Sequence, residues 1–444
     1  MFKSTEQGIS LSIYRITFGL LMCFSLVRFM YKGWVEACYI TPELHFTFQY
    51  FHWIKPFESA TAMYFVIITA LIAAFCVAIG FAYRFFILLF LLLFTYLELI
   101  SQSWYLNHYY FVAIVAFLLC CMPADRLFSV RSFLKKDVQQ PISILFTTVL
   151  KLQISIVYFF AGLAKINSDW LFNAMPLNIW LKAKIGIPII GDWLAYSETA
   201  YLFSYTGMLY DLTIPFLLWN KRTRPFAFVA VIGFHIMTAL LFKIGMFPWI
   251  MIVGSLIFIT DEEWQRIFHF LKIEPQQTNK ILPKVTVTKP KKWLIGLFVI
   301  HFIIQVILPH RYLFYKIAHN ENQLWTERHY RFAWNVMLIE KAGNAVFKVK
   351  DNQSGRIRTE YPSTHLNAIQ EKQMSFQVDM IWQYAQFLKK KYEAQGITDI
   401  SIYVENWIAF NGRPSQLFLP KDLDILTVSE DGIYDKIVEL KKLF

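Results

Sequence analysis

The fold is decided first by a run of 22 mostly apolar residues, Ile9–Met30, which reads ISLSIYRITFGLLMCFSLVRFM. A helix rises about 1.5 Å per residue, so a run of this length crosses the roughly 30 Å hydrocarbon core of a bilayer. Eight further apolar runs follow, at about 60–82, 84–101, 108–122, 143–164, 198–219, 226–242, 246–260 and 293–309. The pattern predicts an integral membrane α-helical bundle of about nine transmembrane helices, with the seventh and eighth runs either two helices or one broken hairpin.

The composition of the 444 residues agrees with a membrane protein. Hydrophobic residues make up 56% and charged residues 17%, whereas soluble proteins average about a quarter charged. The net charge of +12 at first suggests an acidic partner. If the N-terminus is inside, however, the inner segments carry 16 Lys and Arg and the outer loops before Pro309 carry 6. Because Lys and Arg collect on the cytoplasmic side, we predict a cytoplasmic N-terminus and no nucleic-acid partner.

Residues 310–444 contain no further spanning run and have the pattern of a small, mainly β domain with one or two helices. We therefore predict two domains, 1–309 in the membrane and 310–444 on the extracytoplasmic side. The predicted elements are a strand at Phe332–Glu340, a hairpin that joins 345–350 to 356–361, a helix from Val378 through Leu388, and a strand at Ile400–Phe410.

Ionisable groups inside apolar runs are functional candidates, because burying a charge in lipid is costly. The candidates are Arg15, Arg28, Glu98, His108, Lys151, Lys165, Asp211 and His235. Most have a structural alternative. Arg28, for example, lies near a helix end and can extend its guanidinium to the membrane surface.

Three candidates have a defined local context. Lys165 ends the fifth run beside small residues, where desolvation favours a neutral amine that acts as a base; the alternative is an interfacial lysine with Trp170 as an anchor. His108 begins the fourth run on the same outer face and either hydrogen-bonds a phenol or quinone oxygen or caps the start of the helix. His235 precedes a chain break at 245–248 that is typical of a cavity wall; the alternative is a structural histidine. The five cysteines have no zinc-site spacing, and we predict no metal.

Several segments resemble, in order along the chain, those of the vitamin K-dependent γ-glutamyl carboxylases. Tyr158–Trp170 resembles the lysine motif of that family, and Asn107-His108 resembles its Asn-His pair. The likeness continues through Phe234-His235, 241–247, Trp325–Trp334, Ile402–Val404, Asn411–Arg413, Phe418–Pro420 and Asp424. The membrane part also resembles the broader bacterial HTTM domain, whose members do not all share one activity.

The resemblance implies a reaction. In that family a lysine deprotonates a reduced naphthoquinone, O2 is added, and the resulting base removes a γ-proton from a glutamate side chain. The carbanion then takes up CO2, and the quinone leaves as its epoxide. The residues that match are Lys165 and His108 as catalytic residues, Asn107 and His235 at the cofactor, and Trp325, Tyr330 and Arg331 at the glutamate substrate. The implied cofactor is reduced vitamin K or menaquinol, with O2 and CO2 as co-substrates.

The sequence also departs from the animal members of the family. Those chains are longer, and they join their membrane and outer parts by a disulfide that would need a cysteine beyond Cys121. His329 stands where they have an apolar residue, and Ala164 stands where they have a second lysine. We therefore expect a bacterial inner-membrane homologue with an exported Glu-containing peptide as partner, besides the bilayer and the quinone. The alternatives are a quinol oxygenase or epoxidase without carboxylase activity, or a non-enzymatic scaffold or transporter.

Overall fold

The computed structural model describes residues 5–134, 140–273, 289–319 and 322–441, with the backbone alone for 314–319. Each of the nine apolar runs is helical in it. The longer helices of this part are α1 (Ile9–Tyr31), α2 (Ala60–Ile79), α3 (Tyr83–Leu99), α4 (Asn107–Cys120), α6 (Leu145–Ala164), α10 (Ser197–Trp219), α11 (Arg224–Leu241), α12 (Phe247–Ser255), α13 (Asp261–Phe270) and α14 (Lys292–His319). Shorter elements between them are β1 (Thr5–Glu6), α5 (Val130–Leu134), β2 (Ile142–Ser143), α7 (Ser168–Phe172), α8 (Leu177–Lys182) and α9 (Gly191–Leu194).

Five of these helices are both long and apolar enough to cross a membrane: α1, α2, α6, α11 and the part of α14 from Lys292 to Leu313. The protein is therefore a multi-pass membrane protein, and the count of nine crossings stays a prediction. The seventh and eighth runs are separate helices, α11 and α12, joined by residues 242–246. Because α14 continues without a break from Lys292 to His319, the division between residues 309 and 310 also stays a prediction.

Helices α1 and α2 pack closely at one glycine and one buried arginine. A Cβ atom at Gly19 would lie 2.7 Å from the carbonyl oxygen of Ala74, so only glycine permits this approach. Arg15 is fully buried and donates to the carbonyl oxygens of Val77 and Ala78, both at 2.7 Å. The guanidinium thus hydrogen-bonds carbonyl groups in the last turn of α2, where a helix leaves carbonyls without an intrahelical partner; the Val77 carbonyl also accepts from the Gly80 N–H at 3.1 Å. Arg15 has a structural role.

The C-terminal part is built on a four-stranded antiparallel sheet. Its order is β4-β3-β5-β6, with β3 at Lys341–Asp351, β4 at Ile357–Glu360, β5 at Ile400–Phe410 and β6 at Gln416–Leu417. Three helices accompany it: α15 (Gln323–Thr326), α16 (Ala368–Met374) and α17 (Val378–Glu393). The predicted hairpin, the α17 helix and the strand at Ile400–Phe410 are confirmed.

Helix α17 covers one face of this sheet because its apolar residues recur at helical spacing. Ile381, Tyr384 and Leu388 are fully buried, and the ring of Tyr384 lies 4.8 Å from the ring of Phe347 on β3. Burial of side chains of this size contributes roughly 1.5–3 kcal/mol each, enough to give this part of the chain a core of its own.

The predicted strand at Phe332–Glu340 is wrong. This segment has no regular secondary structure, and Phe332, Trp334 and Met337 have φ values of 61°, 56° and 59°, which a strand does not allow. Its aromatic side chains pack on the start of α4 instead. The ring of Trp334 stacks on Tyr110 with the ring centres 5.0 Å apart. This apolar and aromatic run therefore serves contact with a helix rather than sheet pairing.

Candidate active site

Lys165 follows the last residue of α6 and forms a buried ion pair. Its Nζ lies 2.7 Å from Oδ2 of Asp211 on α10 and also donates to the carbonyl oxygen of Ala161 at 3.2 Å. Its ammonium lies 5.3 Å from the ring centre of Trp170. Both charged side chains are less than a tenth exposed. An ion pair in such surroundings depends on its geometry, because either charge alone would be strongly unfavourable there.

A glycine brings the two charges together. At Gly162 a Cβ atom would lie 2.8 Å from the backbone nitrogen of Leu212, so any larger residue would push α6 and α10 apart. Leu212 follows Asp211 directly, and Gly162 precedes Lys165 by one turn. The small residues before the lysine therefore position its counter-charge, as the sequence pattern suggested for close helix contact.

A second hydrogen bond lies beside this pair. Nε2 of His235 on α11 is 2.8 Å from the hydroxyl of Tyr158 on α6. The His235 ring also lies 5.9 Å from that of Phe247, which begins α12 within the predicted chain break. Nδ1 of His235 is buried and has no hydrogen-bond partner among the residues that the structure describes. One nitrogen of this imidazole thus remains available to a ligand.

Both pairs face one cavity of about 240 Å³. Most of its wall is apolar, and its ionisable lining residues include Lys165, Asp211 and His235. Val336 and Met337 of the irregular segment before the sheet complete the wall. The cavity reaches the outside of the helix bundle at Leu202 on α10, which is 64% exposed. A ligand with an apolar body and a few polar atoms suits such a site.

The Asn-His pair lies near this cavity but is not among the residues that line it. His108 is buried, and its ring centre lies 6.0 Å from that of Phe247, the same phenylalanine that contacts His235. Nε2 of His108 has no hydrogen-bond partner in the described part of the chain. Asn107 donates to the carbonyl oxygen of Asn335 at 2.7 Å, so it holds the segment that carries Val336. The roles of both residues stay predictions.

The three residues predicted for the glutamate substrate lie in the C-terminal part, away from the cavity wall. Trp325 is buried between Phe410 and Phe418, and its Nε1 donates to the carbonyl oxygen of Val438 at 2.9 Å. This environment gives Trp325 a place in the core.

Arg331 and Tyr330 are half-buried instead. Arg331 donates to Oδ2 of Asp379 at 2.7 Å and to Oε1 of Gln377. Burial opposes the charged form of Arg331, but the Asp379 carboxylate outweighs it and raises the pKa of the guanidinium. Burial raises the pKa of the Tyr330 hydroxyl well above its usual range. Both groups therefore keep their usual protonation near neutral pH.

Two acidic residues make contacts at the site that the sequence did not indicate. Asp211 stood in the sequence as one of eight ionisable candidates, without a partner. Asp169, four residues after Lys165, accepts from Nη1 and Nη2 of Arg413 at 2.8 and 2.7 Å and from Nδ2 of Asn411 at 3.1 Å. The lysine motif and the Asn-Gly-Arg turn are thus joined directly, and only the tertiary structure brings them together.

Comparison with known families gives two matches. A family model described as the HTTM domain matches residues 3–264. A second, described as the vitamin K-dependent gamma-carboxylase, lumenal domain, matches residues 290–436. No solved structure matches the chain. Among the described residues, no group of three or more His, Cys, Asp or Glu side chains could hold a metal ion.

Proposed function

The chain belongs to the vitamin K-dependent gamma-carboxylase family, and from this premise we propose that it is a membrane enzyme that carboxylates glutamate side chains with a reduced quinone as co-substrate. The observation that carries the proposal is the Lys165–Asp211 pair at the wall of an otherwise apolar cavity. A charged pair is costly in such a place and is typical of a site that moves protons.

The cavity fits a naphthoquinone. Trp170 and Phe247 offer ring surfaces to an aromatic system, and Nζ of Lys165 and Nδ1 of His235 are the polar atoms for its oxygens. When it is bound there, the reduced quinone supplies, with O2, the strong base that removal of a γ-proton from glutamate requires. The opening at Leu202 gives a lipid-soluble molecule access from the bilayer.

Lys165 accepts the first proton in this proposal. An ammonium cannot act as a base, so its proton must first move along the 2.7 Å contact from Nζ to Oδ2 of Asp211. Low polarity favours this transfer, because it turns two buried charges into two neutral groups. Asp211 thus serves as the acceptor that generates the neutral amine.

The other residues position and protect the site. The hydroxyl of Tyr158 holds His235 in place, and His108 assists from behind Phe247. Val336 and Met337 close the wall on the side of the sheet, where they exclude water from a carbanion. The peptide approaches from that side, with Trp325, Tyr330 and Arg331 shaping its site. In this proposal the C-terminal part is extracytoplasmic, and the membrane is a bacterial inner membrane.

The test is quinone turnover by the full-length protein in lipid nanodiscs. Given reduced menaquinone and O2, the wild type is expected to form the epoxide, and Lys165→Met to lower the rate by at least about 100-fold. Lys182→Met is the matched control, because Lys182 lies on α8 nearby and is exposed. Equal rates for wild type and Lys165→Met would remove the assigned base.

Labelled CO2 with Glu-containing peptides separates the first function from a second candidate. His329, in place of an apolar residue near the predicted glutamate site, favours a quinol oxygenase or epoxidase without carboxylase activity. Epoxide formation without label in any peptide would support that candidate. A scaffold or transporter would give neither product.

A further inference from the structure

A second cavity, of about 210 Å³, lies in the membrane part and shares no lining residue with the first. It is formed by the end of α1, by α3 and by the start of α4. Ile369 of α16 belongs to its wall, so the cavity lies at the end of the bundle that meets the C-terminal part. Neither the carboxylase proposal nor the family matches assign it a role.

The chemistry of this second cavity is that of a cation site. Six aromatic side chains line it: Phe29, Trp34, Tyr39, Phe94, Trp104 and Tyr109. Glu98 is the one charged residue in the wall, and its carboxyl group has no hydrogen bond or ion pair among the described residues. Aromatic faces together with a carboxylate attract ammonium groups, both primary and quaternary.

A positive side chain stands next to this aromatic cavity. The guanidinium carbon of Arg28, in the last turn of α1, lies 4.8 Å from the ring centre of Trp34. The Arg28 guanidinium also has no carboxylate partner in the described part of the chain. Leu106 in the wall is 43% exposed, so the cavity is accessible at its rim. The Glu98 carboxyl group, which can accept from an ammonium, is thus in the cavity wall, and the Arg28 guanidinium, which can donate to an anion, lies against Trp34 of the same wall.

We propose that this cavity binds the headgroup of a zwitterionic phospholipid. The ammonium enters among the rings beside Glu98, and the phosphate is held by Arg28, which donates bidentate hydrogen bonds to such groups. The acyl chains then lie along α1 and α3 in the bilayer. This arrangement is independent of the carboxylase reaction.

The test measures lipid binding to the purified full-length protein in detergent. Native mass spectrometry compares phosphatidylethanolamine with phosphatidylglycerol of the same chains, which lacks the ammonium. The wild type is expected to bind the former about tenfold more tightly, and Glu98→Gln to lose this preference. Arg28→Gln is expected to weaken both lipids, because both have the phosphate. Glu36→Gln is the matched control, since the Glu36 carboxylate is bonded to the Tyr64 hydroxyl and is not part of the wall.

Two results with the lipids alone would overturn the proposal: equal binding of the two lipids by the wild type, or a preference that survives in Glu98→Gln. A third result would come from a short lysine peptide. If that peptide displaced phosphatidylethanolamine and its own binding required Glu98, the cavity would be a site for a peptide ammonium, and the lipid proposal would be rejected. Thermal melting without added lipid shows whether Glu98→Gln folds. If it does not, Trp34→Leu removes one ring and the surface under Arg28, and it is expected to lower the preference as well.

Discussion

The ion pair of Asp169 with Arg413 is expected to fasten the sheet domain to the membrane helices. Asp169 belongs to α7 and Arg413 to the turn after β5, and two hydrogen bonds of 2.8 and 2.7 Å join them. The two side chains are 7% and 11% exposed. A buried pair of this kind loses about 3–5 kcal/mol when one partner is removed, because the other charge is left without compensation.

A double-mutant cycle isolates this contact. Asp169→Asn and Arg413→Gln should each destabilise the protein by about 3 kcal/mol, and the double variant by much less than their sum, with a coupling energy of about 2 kcal/mol. Arg413→Lys should destabilise the protein less than Arg413→Gln, because it keeps the positive charge. It should not restore the full stability, since an ammonium cannot form both hydrogen bonds in the same geometry. Unfolding in mild detergent, followed by tryptophan fluorescence, gives the free energies.

The control pair is Lys421 with Glu405, at 2.6 Å but with side chains 52% and 32% exposed. The same cycle there should give a much smaller coupling energy, because solvent screens exposed charges. If the Asp169–Arg413 coupling were as small as that of the control pair, the fastening role would be refuted. Quinone turnover is expected to fall in Asp169→Asn, because the sheet domain also supplies the Val336–Met337 wall.

Two further predictions concern protons. Asp211→Asn should lower the rate of epoxide formation by at least about 100-fold. The control is Asp192→Asn, at an exposed residue, which should not change the rate. An active Asp211→Asn protein would show that Lys165 needs no proton acceptor. Burial first, and then the charges of Arg311 and Arg328, lower the pKa of His329 to about 4, below its usual 6.5. Protons therefore favour the unfolded state as the pH falls from about 6.5 to 4, so acid unfolding over this window should weaken in His329→Leu. An unchanged pH dependence of unfolding in His329→Leu would contradict this assignment.

The elements that the sequence predicted well are those whose residue pattern is compatible with only one type of secondary structure. Long apolar runs such as Ile9–Met30 become helices because a helix satisfies every backbone group within its own segment. The strand at Ile400–Phe410 and helix α17 have strong periods of two and 3.6 residues and were predicted closely. The prediction for 332–340 failed because this apolar and aromatic run packs on α4, and its composition alone does not identify the partner surface.

The candidate site was likewise predictable from the sequence only in part. A lysine beside small residues at a helix end, and a histidine near a chain break, were visible as patterns, and both line the first cavity. Asp211 as the partner of Lys165 was not predictable, since 46 residues separate them and only the contact at Gly162 brings α10 close. The same holds for Asp169 and Arg413, which are 244 residues apart.

The sequence by itself determined that this is a multi-pass membrane protein with a separate sheet at its C-terminal end, because hydropathy and short-range periodicity act along the chain. It also showed which ionisable residues are unusual, since a charge in an apolar run is costly wherever it lies. Only the tertiary structure decided which charges meet, that Asn107 holds the 335–337 segment, and that Glu98 faces a cavity of its own. Those facts depend on distances between helices, which are set by side-chain packing across elements and not by any local pattern.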